Sequence, residues 1–151
     1  MIAKKKKPKK KKQKTLSALK KIAWSKLSLL IRIESADDNG ICRCYTCGAV
    51  KHFREMQAGH AIGGRHMGVL FDEEIIRTQC VGCNIMLRGN YPVFAARLIR
   101  DHGQRVGLSW FEGKIADSRI MRSGSRIYLM DLIEGYDARL STHKRKHLLN
   151  S

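Results

Sequence analysis

The sequence has no apolar run near the roughly 20 residues that a bilayer-spanning helix needs, and nothing at its start resembles a signal peptide. A membrane-spanning chain and a disulfide-stapled secreted module are therefore disfavoured, and the thiols are expected to stay reduced in a soluble, cytoplasmic protein. Acid is missing altogether from residues 1–14, which hold nine lysines. Such a stretch repels itself, so it is expected to be a disordered tail when free. In a eukaryotic chain it would pass for a nuclear localisation signal. Subtracting its nine lysines from the net charge of +17 leaves +8, so tail and body are both basic. A surplus of this size points to a polyanionic partner, usually nucleic acid. An anionic membrane surface would account for the tail alone.

What is present suits one domain, residues 15–151, whose 43% apolar content allows a modest core that a metal site would supplement. Cys44 and Cys47 form one C-x-x-C pair, and Cys80 and Cys83 form a second. Two tight turns of this kind present four thiolates to one tetrahedral Zn²⁺. Gly48 follows the first pair and Gly82 lies within the second, as zinc knuckles require. A redox C-x-x-C would not need the second pair, whereas a purely structural zinc knob without catalysis is a serious rival. The 32 residues between the pairs exceed a minimal zinc ribbon, which leaves room for an inserted hairpin carrying a functional residue. Cys42 is left as a spare or buried thiol.

Leu16, Leu19, Ala23, Leu27 and Leu30 recur at helical spacing, which predicts a helix from Thr15, its N-cap, to about Ala36. Asp37 to Gly40 reads as a turn and residues 49–58 as a strand. His60 to Val69 is expected to be a loop, and Asn84 to open a helix just past the second knuckle. Tyr91 to His102 is helical in pattern with Gly103 as its stop. Val106 to Ile115 is ambiguous, with Trp110 and Phe111 read as packing aromatics. Ser125 to about His147 is a last helix whose basic end, His143 to His147, suits the helix dipole as well as a phosphate.

A strand, a loop and a helix anchored by a zinc knuckle is the scaffold of the ββα-metal, or HNH, nucleases. The strings A-G-H at 58–60, F-D-E at 71–73, Q-C-x-x-C-N at 79–84 and G-N at 89–90 resemble the phage NinG (Rap) recombination endonuclease family. The likeness continues through the Tyr91 to Gly103 pattern. It implies an α+β fold, a small treble-clef-like zinc module flanked by N- and C-terminal helices. It also implies a phosphodiesterase with structural zinc and a catalytic Mg²⁺ or Mn²⁺, cleaving branched DNA such as Holliday junctions or displacement loops.

Carried over by residue, the resemblance makes His60 the general base and places Asn84, Asp72 and Gln57 near the cation. The sequence departs from the family pattern at two places. Gln57 stands where an acid often precedes A-G-H, and Ile75 stands where an asparagine orients the histidine. Asp72 or Glu74 is expected to compensate, with Asp72 preferred because it falls in the shared F-D-E string. Lys4, Lys5, Lys6, Lys7, Arg65, Arg77 and Arg88 are the expected phosphate contacts, and His66 is a candidate contact to metal or phosphate. Cutting opposed strands calls for a homodimer, in the bacterial host cytoplasm if the chain is phage-encoded. The alternatives are a zinc-stabilised DNA-binding module without catalysis and an HNH nuclease indifferent to DNA structure.

Overall fold

The computed structural model describes residues 13–63, 66–103, 105–120 and 124–148, with side chains through His143. Residues 1–12 of the lysine tail, Arg65 and the basic run after His143 lie outside these described residues and side chains.

The first helix, α1 (Leu16–Glu34), begins where Thr15 Oγ1 accepts the amide of Ala18 at 3.2 Å. Its 3.6-residue period puts Leu19, Ala23, Leu27, Leu30 and Ile33 on one buried stripe. Leu27 and Leu30 are fully covered, and such burial contributes about 1.5–3 kcal/mol per leucine. The Asp37 carboxylate then accepts the amides of Asn39 and Ile41, closing the expected turn.

Two antiparallel hairpins follow. β1 (Ile41–Arg43) pairs with β2 (Val50–His52), and the link between them carries the first knuckle. β3 (Met56–His60) pairs with β4 (Ile76–Cys80), with Gln57 opposite Gln79 and Gly59 opposite Arg77. The expected single strand over 49–58 is thus two strands of two sheets. The Phe53–Glu55 3₁₀ turn parts them, its entry fixed by the Phe53 amide on the Gly40 carbonyl at 2.9 Å.

No α-helix opens at Asn84. The chain makes one π turn, Gly82–Met86, in which the Leu87 amide reaches back to Gly82 at 2.9 Å. The wider ring lets Cys83 stay beside Cys80, whose sulfur accepts the Cys83 amide at 3.4 Å. Three left-handed residues, Arg88, Gly89 and Asn90, then redirect the chain into α2 (Tyr91–Asp101). The segment of ambiguous pattern is α3 (Gly107–Ser118), with Phe111 buried. The last helix, α4 (Arg126–Leu148), packs along α1 through Leu129, Tyr136 and Leu140. Arg139 clamps the end of α1 to the segment before β4, holding Glu34 at 2.8 Å and Glu73 at 2.7 Å. The fold is α+β, as expected, and among the described residues no helix is long and apolar enough to cross a membrane.

Candidate functional site

The four knuckle cysteines converge, with their sulfurs all within 4.8 Å of one another. Tetrahedral Zn–S bonds of ~2.3 Å set sulfurs about 3.8 Å apart, and Cys47 Sγ lies 3.7 Å from Cys80 Sγ. Both distances far exceed a disulfide bond. Burial pushes the Cys44 thiol up, but the Thr46 hydroxyl and the amides around it outweigh that and hold it at about 6. The Ala49 amide favours the Cys47 thiolate. Desolvation and the three neighbouring sulfurs oppose it and push it up to about 12. The Cys44 thiolate forms readily and the Cys47 thiolate resists, a conflict that a dication removes. The donor set thus fits one zinc ion. Cys42 is buried outside this cluster.

The knuckles are tied to the β3–β4 hairpin. The Tyr45 amide donates to the Thr78 carbonyl at 2.8 Å, and buried Gln79 donates through Nε2 to Thr46 Oγ1 at 3.1 Å and the Gly89 carbonyl at 2.9 Å. The face of the hairpin bearing Gln57, Gly59 and Gln79 therefore looks at the zinc module. The opposite face looks at α1, where Thr78 bonds the Ile31 carbonyl and His60 stacks on Trp24 with centroids 4.7 Å apart.

Asn84 Nδ2 donates to Gln57 Oε1 at 2.7 Å, so two of the expected cation ligands do meet. A Cβ on Gly59 would stand 3.0 Å from Asn84 Oδ1 and only 1.9 Å from Gln79 Oε1. That Gln79 oxygen is buried with no hydrogen-bond partner among the described residues. Two amide oxygens thus border the space a side chain would fill, one of them unsatisfied. Oxygen donors without sulfur or nitrogen fit Mg²⁺ or Mn²⁺ in kind, with phosphate oxygens left to supply the negative charge. Gln79 belongs to the Q-C-x-x-C-N string but had no role in the sequence reading.

His60 Nε2 lies 3.1 Å from the Leu70 carbonyl. A carbonyl only accepts, so Nε2 carries the proton and Nδ1 is the basic nitrogen. The Leu70 backbone and the Trp24 ring hold the imidazole, and buried Ile75 leaves its own carbonyl to the Ala61 amide at 2.9 Å. Asp72 does not join this group. Its carboxylate accepts from Lys114 Nζ at 2.7 Å and from the Glu74 amide at 3.1 Å, in a separate cavity against α3. The lysine ion pair explains why Asp72 turns away from His60.

Along the free edge of β3, a cavity of about 490 Å³ is walled by Trp24 and Arg32 of α1, by Arg54 and Gln57, and by Asn84 and Ile85 of the π turn. Its lining holds two arginines and no acid. Arg32 is committed to the carbonyls of Ser28, Phe53 and Met56, whereas the exposed Arg54 is the cation available to an anion. Arg77 is half-buried and donates to the Glu73 and Ile76 carbonyls, so it braces β4, and Arg88 sits exposed at the far end of the π turn.

A family model described as Bacteriophage Lambda NinG protein matches residues 2–145. The chain belongs to the NinG family. No curated protein and no solved structure gives a match. The NinG match takes in the whole of α1 and nearly all of α4, so the flanking helices belong to the family unit along with the knuckles. Trp24, Ser28 and Arg32, which the sequence reading passed over, are legible afterwards as an i, i+4, i+8 row beside the apolar stripe of α1.

Proposed function

We propose that this NinG-family chain is a divalent-metal-dependent endonuclease acting on branched DNA. The observation that carries the reading is the oriented imidazole of His60, with Nε2 bound to the Leu70 carbonyl and its ring stacked on Trp24, a residue that lines a basic, acid-free cavity. Nδ1 of His60 takes a proton from the attacking water. Arg54 contacts the scissile strand's phosphate. Gln57, Asn84 and Gln79 supply the oxygens that would hold Mg²⁺ or Mn²⁺, and such an ion when bound stabilises charge on the phosphate and the leaving oxygen. The zinc module acts only as the mount.

The direct test is a labelled four-way junction incubated with Mg²⁺ or Mn²⁺ and then with EDTA. Metal-dependent nicking is expected from the wild type, with a loss of about 10²–10⁴-fold in His60→Ala at unchanged junction affinity. Equal cleavage by His60→Ala would defeat the assignment. One observation favours a second reading, a zinc-stabilised DNA-binding module without hydrolysis: the β3-edge cavity has no carboxylate in its lining. Tight, salt-sensitive junction binding with no turnover under any divalent metal would select it.

A further inference from the structure

The π turn that carries Asn84 exposes apolar side chains which nothing in the catalytic reading uses. Val81 is 41% exposed, Ile85 54%, Leu87 59% and Met86 75%, on a surface where isolated apolar exposure is ordinary but a contiguous row is not. These residues form a tip, and the tip is fixed from both ends. The Leu87 amide bonds the Gly82 carbonyl, the Gly89 amide bonds the Cys83 carbonyl at 2.9 Å, and buried Gln79 holds the Gly89 carbonyl. Arg88 and Asn90 sit at positive φ on either side of Gly89, which fixes the chain reversal behind the tip. Local backbone of this kind persists only when its surroundings hold it. Apolar side chains here are therefore displayed on a rigid mount beside the zinc cluster.

The charge around the tip identifies its occupant. From Ile75 to Arg100 the chain has four arginines and no acid. Ile85 also lines the acid-free cavity that holds Arg54, Gln57 and Asn84, so the apolar tip is continuous with the phosphate-facing site. An apolar tip that ends at the exposed Arg88 and borders the cavity of the exposed Arg54 is complementary to the bases and phosphates of a nucleic acid.

We infer that Met86 and Leu87 form a wedge that enters the base stack at the branch point of a DNA junction, while Arg88 holds an adjoining phosphate. The inference rests on the DNA reading given above and adds what selects the branch. Inserting an apolar side chain between stacked base pairs costs unstacking free energy. That cost is least where bases are already unpaired or unstacked, as at a branch. A rigid wedge therefore gains at a junction what it would lose on continuous duplex.

The test uses the full, zinc-loaded chain without divalent metal, and a four-way junction with 2-aminopurine at the branch. Affinities are read by anisotropy against a linear duplex of the same length. The wild type is expected to favour the junction and brighten the 2-aminopurine. In M86S/L87S the junction preference should fall by about tenfold, the loss of one base-stacking contact, and the brightening should vanish. Linear-duplex affinity, zinc content and circular dichroism should be unchanged, since both side chains are exposed. An unchanged junction-to-duplex ratio in the variant overturns the wedge, and so does a wild type without junction preference. A variant that turns a dimer into monomers by light scattering also overturns it, because the tip is then a subunit contact. Hydrolysis is not read in this experiment. A wild type that grips junctions through the wedge but never cuts them refutes the nuclease and leaves the wedge standing.

Discussion

At the scale of single residues, glycine and tryptophan explain more of the site than the ionisable groups do. Gly59 precedes the histidine, and any side chain there would strike Gln79 Oε1 at 1.9 Å. Gln79 is buried and clamped by Thr46 and Gly89, so it cannot swing clear. Gly59→Ala is expected to destabilise the fold by about 1–3 kcal/mol in urea unfolding, an overpacking cost, with zinc still bound. On the proposed nuclease reading Trp24 is a positioning residue, because it touches the His60 ring and no reacting atom. Trp24→Ala should lower kcat by about 10–100-fold with KM little changed, and Trp24→Phe should recover most of the loss. A purely structural tryptophan would lower the yield of folded protein without this split. The cysteines were legible in the sequence because metal ligation fixes their local spacing. Trp24 was not, because its meeting with His60 depends on how α1 lies across the hairpin.

At the scale of elements, periodicity made α1, α2 and α4 readable. Each has an apolar stripe at helical spacing, and α1 and α2 have a cap or a glycine stop as well. The π turn was unreadable, since nothing in G-C-N-I-M distinguishes a five-residue ring from an α-helical turn. The choice is made by the need to keep Cys83 beside Cys80. The α3 pattern was blurred for a related reason, its first residue being a glycine selected by contact. At Gly107 a Cβ would lie 1.9 Å from the backbone oxygen of Ile99, so α2 and α3 touch main chain to main chain there. No rotamer relieves a clash with a carbonyl. Gly107→Ala is therefore expected to push the two helices apart, costing about 1–3 kcal/mol and lowering the thermal midpoint by about 2–8 °C. Because α3 also carries Lys114, the partner of Asp72, the same variant reports whether that ion pair matters to the proposed cleavage.

At the scale of the whole molecule, metal and charge are the two global terms. The four-cysteine cluster links both hairpins, the π turn and, through Tyr45 and Asp101, the end of α2, whose carboxylate accepts the tyrosine hydroxyl at 2.5 Å. Metal analysis should give about one zinc per chain. Cys80→Ser should unfold the protein, while Cys42→Ser keeps the metal, since Cys42 stands outside the cluster. Charge acts differently, because it separates affinity from selectivity. Nine lysines fall within residues 1–14, and removing them would leave +8 on the body. If those lysines contact phosphates, each one released flattens the plot of log K against log salt by about 0.9 on duplex DNA. Deleting residues 1–14 should then reduce that slope by several units and weaken binding to linear and branched DNA alike. Junction preference should survive the deletion, because phosphate contacts carry no information about branching, whereas the base contacts of the proposed wedge would. Anisotropy titrations over a series of salt concentrations measure both quantities in one experiment. A slope unchanged by the deletion would make the tail a solubilising appendage and leave all phosphate binding to the arginines of the body.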